Sequence, residues 1–203
     1  SQGAKGFDLD LVSEVMTYNA SQGKPAYAAI INRLDRPVSG LVLIAKNKSA
    51  AAKYSTLMQK EGGFNKQYEA LICGKLSEPK GTFVDYLKKD GRTNTSAIVP
   101  ADAAANDKEA KLSKLEYEVI SYDEVKDITH VRIHLITGRH HQIRVQFASR
   151  GHALVGDYKY ATADCDMDNA VKAVALKRNQ IALCAVSLTV DNKTYSVAPE
   201  FLL

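Results

Sequence analysis

Apolar residues recur along this chain at two different periods, and the change from one to the other marks out the elements. From Asp8 to Tyr18, residues Leu9, Val12, Val15 and Met16 fall at helical spacing, and Gly23-Lys24-Pro25 breaks the run. Asn47-Lys48-Ser49 offers a helix cap, and the Ala-rich stretch from Ala50 to Lys60 continues it until Gly62-Gly63. The period then becomes two. Lys66 to Gly74 alternates, with Tyr68, Ala70 and Ile72 on one face. Gly81 to Lys88 and Thr93 to Val99 flank Asp90-Gly91, a hairpin dipeptide. Leu115-Tyr117-Val119 and Val131-Ile133-Leu135 predict two strands paired through the polar turn from Asp123 to Asp127. Ile181 to Val190 and Lys193 to Val197 predict the last strands. Ser1 to Gly6 and Pro100 to Lys108 read as loops, the second exposed. Thr137-Gly138 ends a strand, His140 to Arg150 reads as a helix stopped by Gly151, and Asp164 to Gln180 reads as a helix with polar flanks. No repeat or linker divides the chain. The pattern predicts one α+β domain over residues 1–203, a mixed, mostly antiparallel sheet with flanking helices and loops.

Composition narrows the class. With 203 residues, 45% hydrophobic and 25% charged, the chain reads as an ordinary soluble globular protein. Its apolar runs are too short to span a bilayer, and no basic-then-apolar leader opens it. Cys73, Cys165 and Cys184 are scattered and odd in number, without a Cys-x-x-Cys pair. Neither a disulfide framework nor a cysteine zinc site is expected, and the setting reads as reducing and cytoplasmic. Lys and Arg exceed Asp and Glu by 27 to 23, which is compatible with a polyanionic partner but does not by itself require one.

Two stretches carry candidate chemistry. Residues 33–40 read Arg-Leu-Asp-Arg-Pro-Val-Ser-Gly and run into Leu41-Val42-Leu43-Ile44, which predicts a buried strand. Asp35 thus stands between Arg33 and Arg36 at the mouth of a sheet, where flanking cations are one way to keep a nucleophile ionised. Taken alone, a Leu-Asp-Arg is more simply a turn. The second stretch runs from Thr137 to Asp157. Arg139, His141 and Arg144 lie within about two helical turns, so they can share the helix N-terminal end or one side, a suitable place for anions. That end is a candidate partner for Asp35. Histidines 130, 134, 140, 141 and 152 invite a metal reading, but no carboxylate sits at supporting spacing and no metal is expected.

Three blocks together resemble the RluA family of RNA pseudouridine synthases. They are Arg33-Leu34-Asp35-Arg36-Pro37-Val38-Ser39-Gly40-Leu41; Lys66-Gln67-Tyr68-Glu69-Ala70, closing at Gly74; and Thr137-Gly138-Arg139 with His141-Gln142-Ile143-Arg144-Val145, Gly151-His152 and Gly156-Asp157. They occur in the family order, and the resemblance covers nearly all of the chain from Ala28 to Ala198-Pro199. The chain departs from the pattern at Asn32, where the family usually has His, and at His140, where it usually has a small residue or Pro. Family members open with a strand and an Asn-Lys-Pro or similar element. On that comparison this chain lacks the usual first strand, and no S4-type RNA-binding module is visible.

The resemblance implies the pseudouridine synthase fold and an isomerase acting on a uridine of ribosomal or transfer RNA. No cofactor is implied, because the reaction has no net redox change. Asp35 would be the reacting carboxylate, whether it attacks covalently or acts on the sugar proton. Arg144 would pair with it, Tyr68 would stack on the target base, and Arg33 would replace the flipped base in the RNA stack. Ile143 would wall the uracil pocket, with Arg36, Arg139 and His141 also on the substrate side. Asp157 would be structural. Tyr68 and Ile143 alone read as core packing, and Arg144 alone as a surface helix arginine. The expected protein acts as a monomer, without membrane or metal. A binding-only RNA protein on the same scaffold and an Asp35-dependent glycosidase or nucleosidase are the rivals; the latter chemistry usually needs paired carboxylates.

Overall fold

The computed structural model describes residues 10–60, 63–161, 163, 165–201 and 203. Ser1 to Gly6, Asp8, Leu9, Gly62 and Asp164 lie outside them. In chain order the elements are α1 (Leu11–Ser21), β1 (Ala29–Ile30), β2 (Ser39–Gly40), β3 (Ile44–Ala45), α2 (Lys48–Gln59), β4 (Asn65–Cys73), β5 (Lys80–Asp90), β6 (Thr95–Val99), α3 (Ala101–Ala104), β7 (Lys111–Asp123), β8 (Ile128–Leu135), α4 (Gln142–Ala148), α5 (Met167–Ala173), β9 (Leu183–Val190) and β10 (Lys193–Ser196). The main sheet runs β10-β9-β4-β8-β7-β5-β6, with every pair antiparallel; the short β2 joins β9 in parallel. This is the α+β, mostly antiparallel architecture expected from the pattern.

Alternation explains the two larger of the three apolar clusters among the described residues. Tyr68, Ala70 and Ile72 of β4 face one side, with Leu115, Val131, Ile133, Phe83 and, from α4, Ile143 and Phe147. Leu71 and Cys73 face the other, with Ile128, Ala153, Val155 and α5 residues Met167 and Ala170. The rings of Phe83, Tyr117 and Phe147 meet at centroid distances of 4.9 to 5.9 Å and seat α4 on the sheet. Asn47 caps α2 by accepting from the Ala50 N–H at 2.8 Å, as its position in the sequence predicts.

Several expectations are corrected. Leu41 to Ile44 is not one buried strand. The chain pairs with β9 only at Ser39–Gly40, crosses over half-buried, and pairs with β1 at Ile44–Ala45. The segment from Pro100 to Lys108 contains the helical turn α3, with Ala104 buried. The helix expected from His140 to Arg150 is α4, which starts at Gln142 because His141 takes a left-handed φ of 54°. The helix expected from Asp164 to Gln180 is the seven-residue α5. Cys73 and Cys165 form a disulfide across 92 residues, with Cα atoms 5.8 Å apart; Cys184 is free and buried. Scattered spacing hid that pair, because β4 and the approach to α5 meet only in the fold. Among the described residues, no helix is long and apolar enough to cross a membrane.

Candidate active site

The loop carrying Asp35 hangs between β1 and β2 and is fixed from several directions. Asn32 is buried; its amide donates to the Leu41 carbonyl at 3.1 Å and its oxygen accepts from Leu43 N–H at 2.5 Å. Val38 N–H closes a turn on the Asp35 carbonyl at 2.9 Å, and Pro37 accepts from Ile181 N–H at 3.0 Å. Leu34 and Val38 pack against the core that contains Ile143, which leaves Asp35 at the mouth. Gly40 lets the loop dock: a Cβ there would lie 2.5 Å from the Ala185 backbone, and φ is +117°. Gly40 and Tyr68 are both register partners of Ala185, so the loop ends two strands from Tyr68. The pairing of β4 with β9 is irregular between Gln67 and Tyr68, a device that re-aims side chains beside functional sites.

Arg144 reaches the same place from α4. At the first position of α4, the Gln142 amide gathers the preceding turn: its oxygen accepts from the Thr137 hydroxyl at 2.8 Å and Arg139 N–H at 3.0 Å, and its nitrogen donates to the Lys114 carbonyl at 3.1 Å. Arg144 donates from Nε and Nη2 to the two oxygens of Asp157, both at 2.7 Å, and from Nη1 to Asp35 Oδ2 at 3.1 Å. Its guanidinium also stands 5.1 Å over the Tyr160 ring. The side chains of Asp157 and Arg144 are 1% and 6% exposed, and that of Asp35 is 30% exposed. Asp157 is therefore the buried anchor and Asp35 the carboxylate left accessible. Burial pulls the Arg144 pKa down, but the bonds and charges of Asp157 and Asp35 outweigh it and leave it raised.

Tyr68 is buried. Burial, and after it the charge of Asp35, pushes its phenol up to about 12, so it is a neutral O–H at physiological pH. His141 Nε2 stands 3.6 Å from Asp35 Oδ2, and Nδ1 is 2.7 Å from the Tyr160 hydroxyl. Burial pushes His141 down to about 4; the pull of Asp35 is opposed by Arg144, His140 and Lys159. Lys66, from the second block, is lowered by burial, with Nζ 3.8 Å from Met58 Sδ.

The sequence candidates thus divide. Asp35, Tyr68, Arg144, His141 and the core residue Ile143 gather on one side of the sheet. Arg33 and Arg36 are exposed and make no hydrogen bond or ion pair among the described residues. The flanking cations read from the sequence therefore do not hold Asp35; Arg144 and His141 face it. Arg139 is exposed, and its Nε donates to the Leu112 carbonyl of β7 at 2.9 Å rather than to Asp35. Tyr160 and Ser96 were not singled out by the sequence. A weak signal lies in Asp157, which follows the buried segment Ala153-Leu154-Val155 after one glycine, Gly156, with Tyr160 one turn on.

A family model described as RNA pseudouridylate synthase matches residues 4–149, which span the Asp35 loop, the Tyr68 strand and α4. The chain belongs to this family. Within it, the chain is 36% identical over 135 residues to ribosomal large subunit pseudouridine synthase D of Blochmanniella floridana, covering 66% of this chain and 38% of that protein. It is 29% identical over 187 residues to ribosomal large subunit pseudouridine synthase C of Salmonella typhi, covering 92% and 55%. The chain therefore spans about half the length of these curated relatives. The solved structure titled human RNA pseudouridylate synthase domain containing 4 superposes with a TM-score of 0.70 at 18% identity, over 90% of this chain and 75% of that one, and it supports the fold alone.

Proposed function

We propose that this chain isomerises a specific uridine of structured RNA to pseudouridine. The reaction breaks the N1–C1′ bond, turns the detached uracil, joins C5 to C1′ and releases the C5 proton, while N1 takes up a proton. Atoms and electrons balance without a redox partner. The observation that carries this reading is the chain Asp157–Arg144–Asp35, a buried ion pair whose guanidinium ends on a carboxylate still open to substrate. Asp35 acts at C1′, by covalent attack or on the sugar proton. Tyr68 lies against the base as a neutral phenol, Arg144 orients Asp35, and Ile143 walls the uracil. Arg33 is free to enter the stack vacated by the flipped base, recovering part of an unstacking cost of a few kcal/mol. Arg36, Arg139 and His141 complete the substrate side.

The relatives' names support RNA of the large ribosomal subunit as the first substrate to test, with transfer RNA the alternative. Action as a monomer in the cytoplasm belongs to the same proposal. Lys and Arg contacts to phosphates make affinity fall as salt rises. The test is incubation with RNA carrying tritium at uridine C5. Tritium release without base loss supports the synthase. Free uracil would instead show a nucleosidase, and binding without either product a non-catalytic module.

A further inference from the structure

Beyond Asp157 the chain brings Tyr160 back over the start of α4, where its hydroxyl meets two nitrogens of different kinds. Ser96 N–H donates to it at 2.8 Å, and His141 Nδ1 lies 2.7 Å away. Across the same imidazole, Nε2 stands 3.6 Å from Asp35 Oδ2. A phenol has one proton to give. Ser96 N–H is a donor and cannot receive it, and burial raises the Tyr160 pKa, so the hydroxyl keeps that proton at neutral pH. Of the two nitrogens, only His141 Nδ1 can accept it. His141, neutral because burial disfavours its cation, then carries its own proton on Nε2. The opposite tautomer would aim an Nε2 lone pair at the Asp35 carboxylate and leave the phenol proton without either neighbour as acceptor.

The surroundings hold the ring in that pose. His140 stacks on His141 with centroids 3.7 Å apart, and its Nδ1 is 2.9 Å from Ser96 Oγ. Ser96 of β6 therefore steadies both Tyr160 and His140. The charged and titratable groups acting on the imidazole are Asp35, Arg144, His140, Lys159 and Tyr160, with Lys89 of β5 acting on His140.

We propose that Tyr160 is a positioning residue: its hydroxyl, oriented by Ser96, locks His141 in the Nε2–H tautomer, so that Asp35 faces a second N–H beside that of Arg144. The 3.6 Å separation is long for a hydrogen bond, and such contacts tighten when substrate closes the site. The consequence for turnover rests on Asp35 being the reacting carboxylate; the tautomer does not.

The test combines the ring-nitrogen NMR of His141 with kinetics. The wild-type protein without RNA is expected to show neutral, Nε2-protonated His141 at pH 6 to 8. Tyr160→Phe, which keeps the ring under Arg144, is expected to shift His141 toward the Nδ1–H form. The same variant is expected to lower kcat about 10- to 100-fold, with RNA affinity within about twofold. His141→Gln, whose amide N–H reaches the Nε2 position, should retain more activity than His141→Asn. A wild-type Nδ1–H tautomer, or an unchanged tautomer in Tyr160→Phe, overturns the proposal whatever happens to kcat. Should Tyr160→Phe fail to fold, the wild-type spectrum decides. A fully active Asp35→Asn would instead remove the reading of Asp35 and leave the tautomer assignment standing.

Discussion

Replacing Asp157 by Asn tests how the site is held together. Both partners of the Asp157–Arg144 pair are nearly inaccessible, at 1% and 6% side-chain exposure, and both bonds are 2.7 Å. Asn keeps the shape but removes the charge, and its NH2 faces a guanidinium nitrogen that also donates. Breaking one side of a buried, hydrogen-bonded pair costs about 3–5 kcal/mol, a large share of the roughly 5–15 kcal/mol that holds a domain folded. At about 2–4 °C per kcal/mol for a chain of this size, Tm should fall by roughly 6–20 °C. Activity should fall further than folding explains, because Arg144 keeps only Asp35 as an anionic partner and a displacement near 1 Å costs on the order of 100-fold. Urea unfolding of Asp157→Asn, followed by a cycle with Arg144→Met, Asp157→Leu and the double variant, measures the coupling. The double variant should be more stable than the singles imply, by at least about 2 kcal/mol, since an apolar pair leaves no orphaned charge. A loss below about 1 kcal/mol in Asp157→Asn, or additive variants, would refute the buried-anchor argument.

Tyr68→Phe should lower kcat more than RNA affinity, measured by tritium release and filter binding. The Tyr68 pKa is raised from 10.0 to about 12, so the stability tied to its neutral form is intact below pH 10 and is lost as pH rises toward 12. Tyr68→Phe should flatten the stability profile in that window, and an unchanged profile would count against burial as the cause. Gly40→Ala should cost about 1–3 kcal/mol and most of the activity, because its Cβ would meet the Ala185 backbone and displace the Asp35 loop. A Gly40→Ala protein with wild-type Tm and kcat would contradict that docking. Thiol titration in denaturant without reductant should find one free cysteine, Cys184, and reduction of the Cys73–Cys165 bridge should cost about 2–5 kcal/mol; three free thiols would remove the bridge.

Local rules carried the sheet well and the site less well. The alternation of Tyr68, Ala70 and Ile72, the cap at Asn47 and the turn from Asp123 to Asp127 are written in neighbouring residues, and the structure has all three. The errors fall where distant segments decide. Leu41 to Leu43 looked like a buried strand but is half-buried, since β9 offers its edge to only two residues there. The start of α4 is displaced by the left-handed His141, which no helical pattern reveals. Asp35 and Arg144 meet across 109 residues; the cationic start of the helix marks a partner for Asp35 in the sequence, but only the ordered blocks of the family resemblance single out Arg144 within it. The link from Ser96 through Tyr160 to His141 joins β6, an irregular segment and a helix cap, and no spacing rule connects them.

The central claim is that Asp35, aimed by Arg144, performs the isomerisation. The most direct measurement compares wild type and Asp35→Asn on RNA tritiated at uridine C5, drawn from cells that lack this protein, with unfolding and RNA binding followed on the same samples. The wild-type protein should release tritium and convert uridine to pseudouridine without freeing uracil, whereas Asp35→Asn should fold, bind the RNA and release none. A folded Asp35→Asn protein that turns over at the wild-type rate would contradict the account.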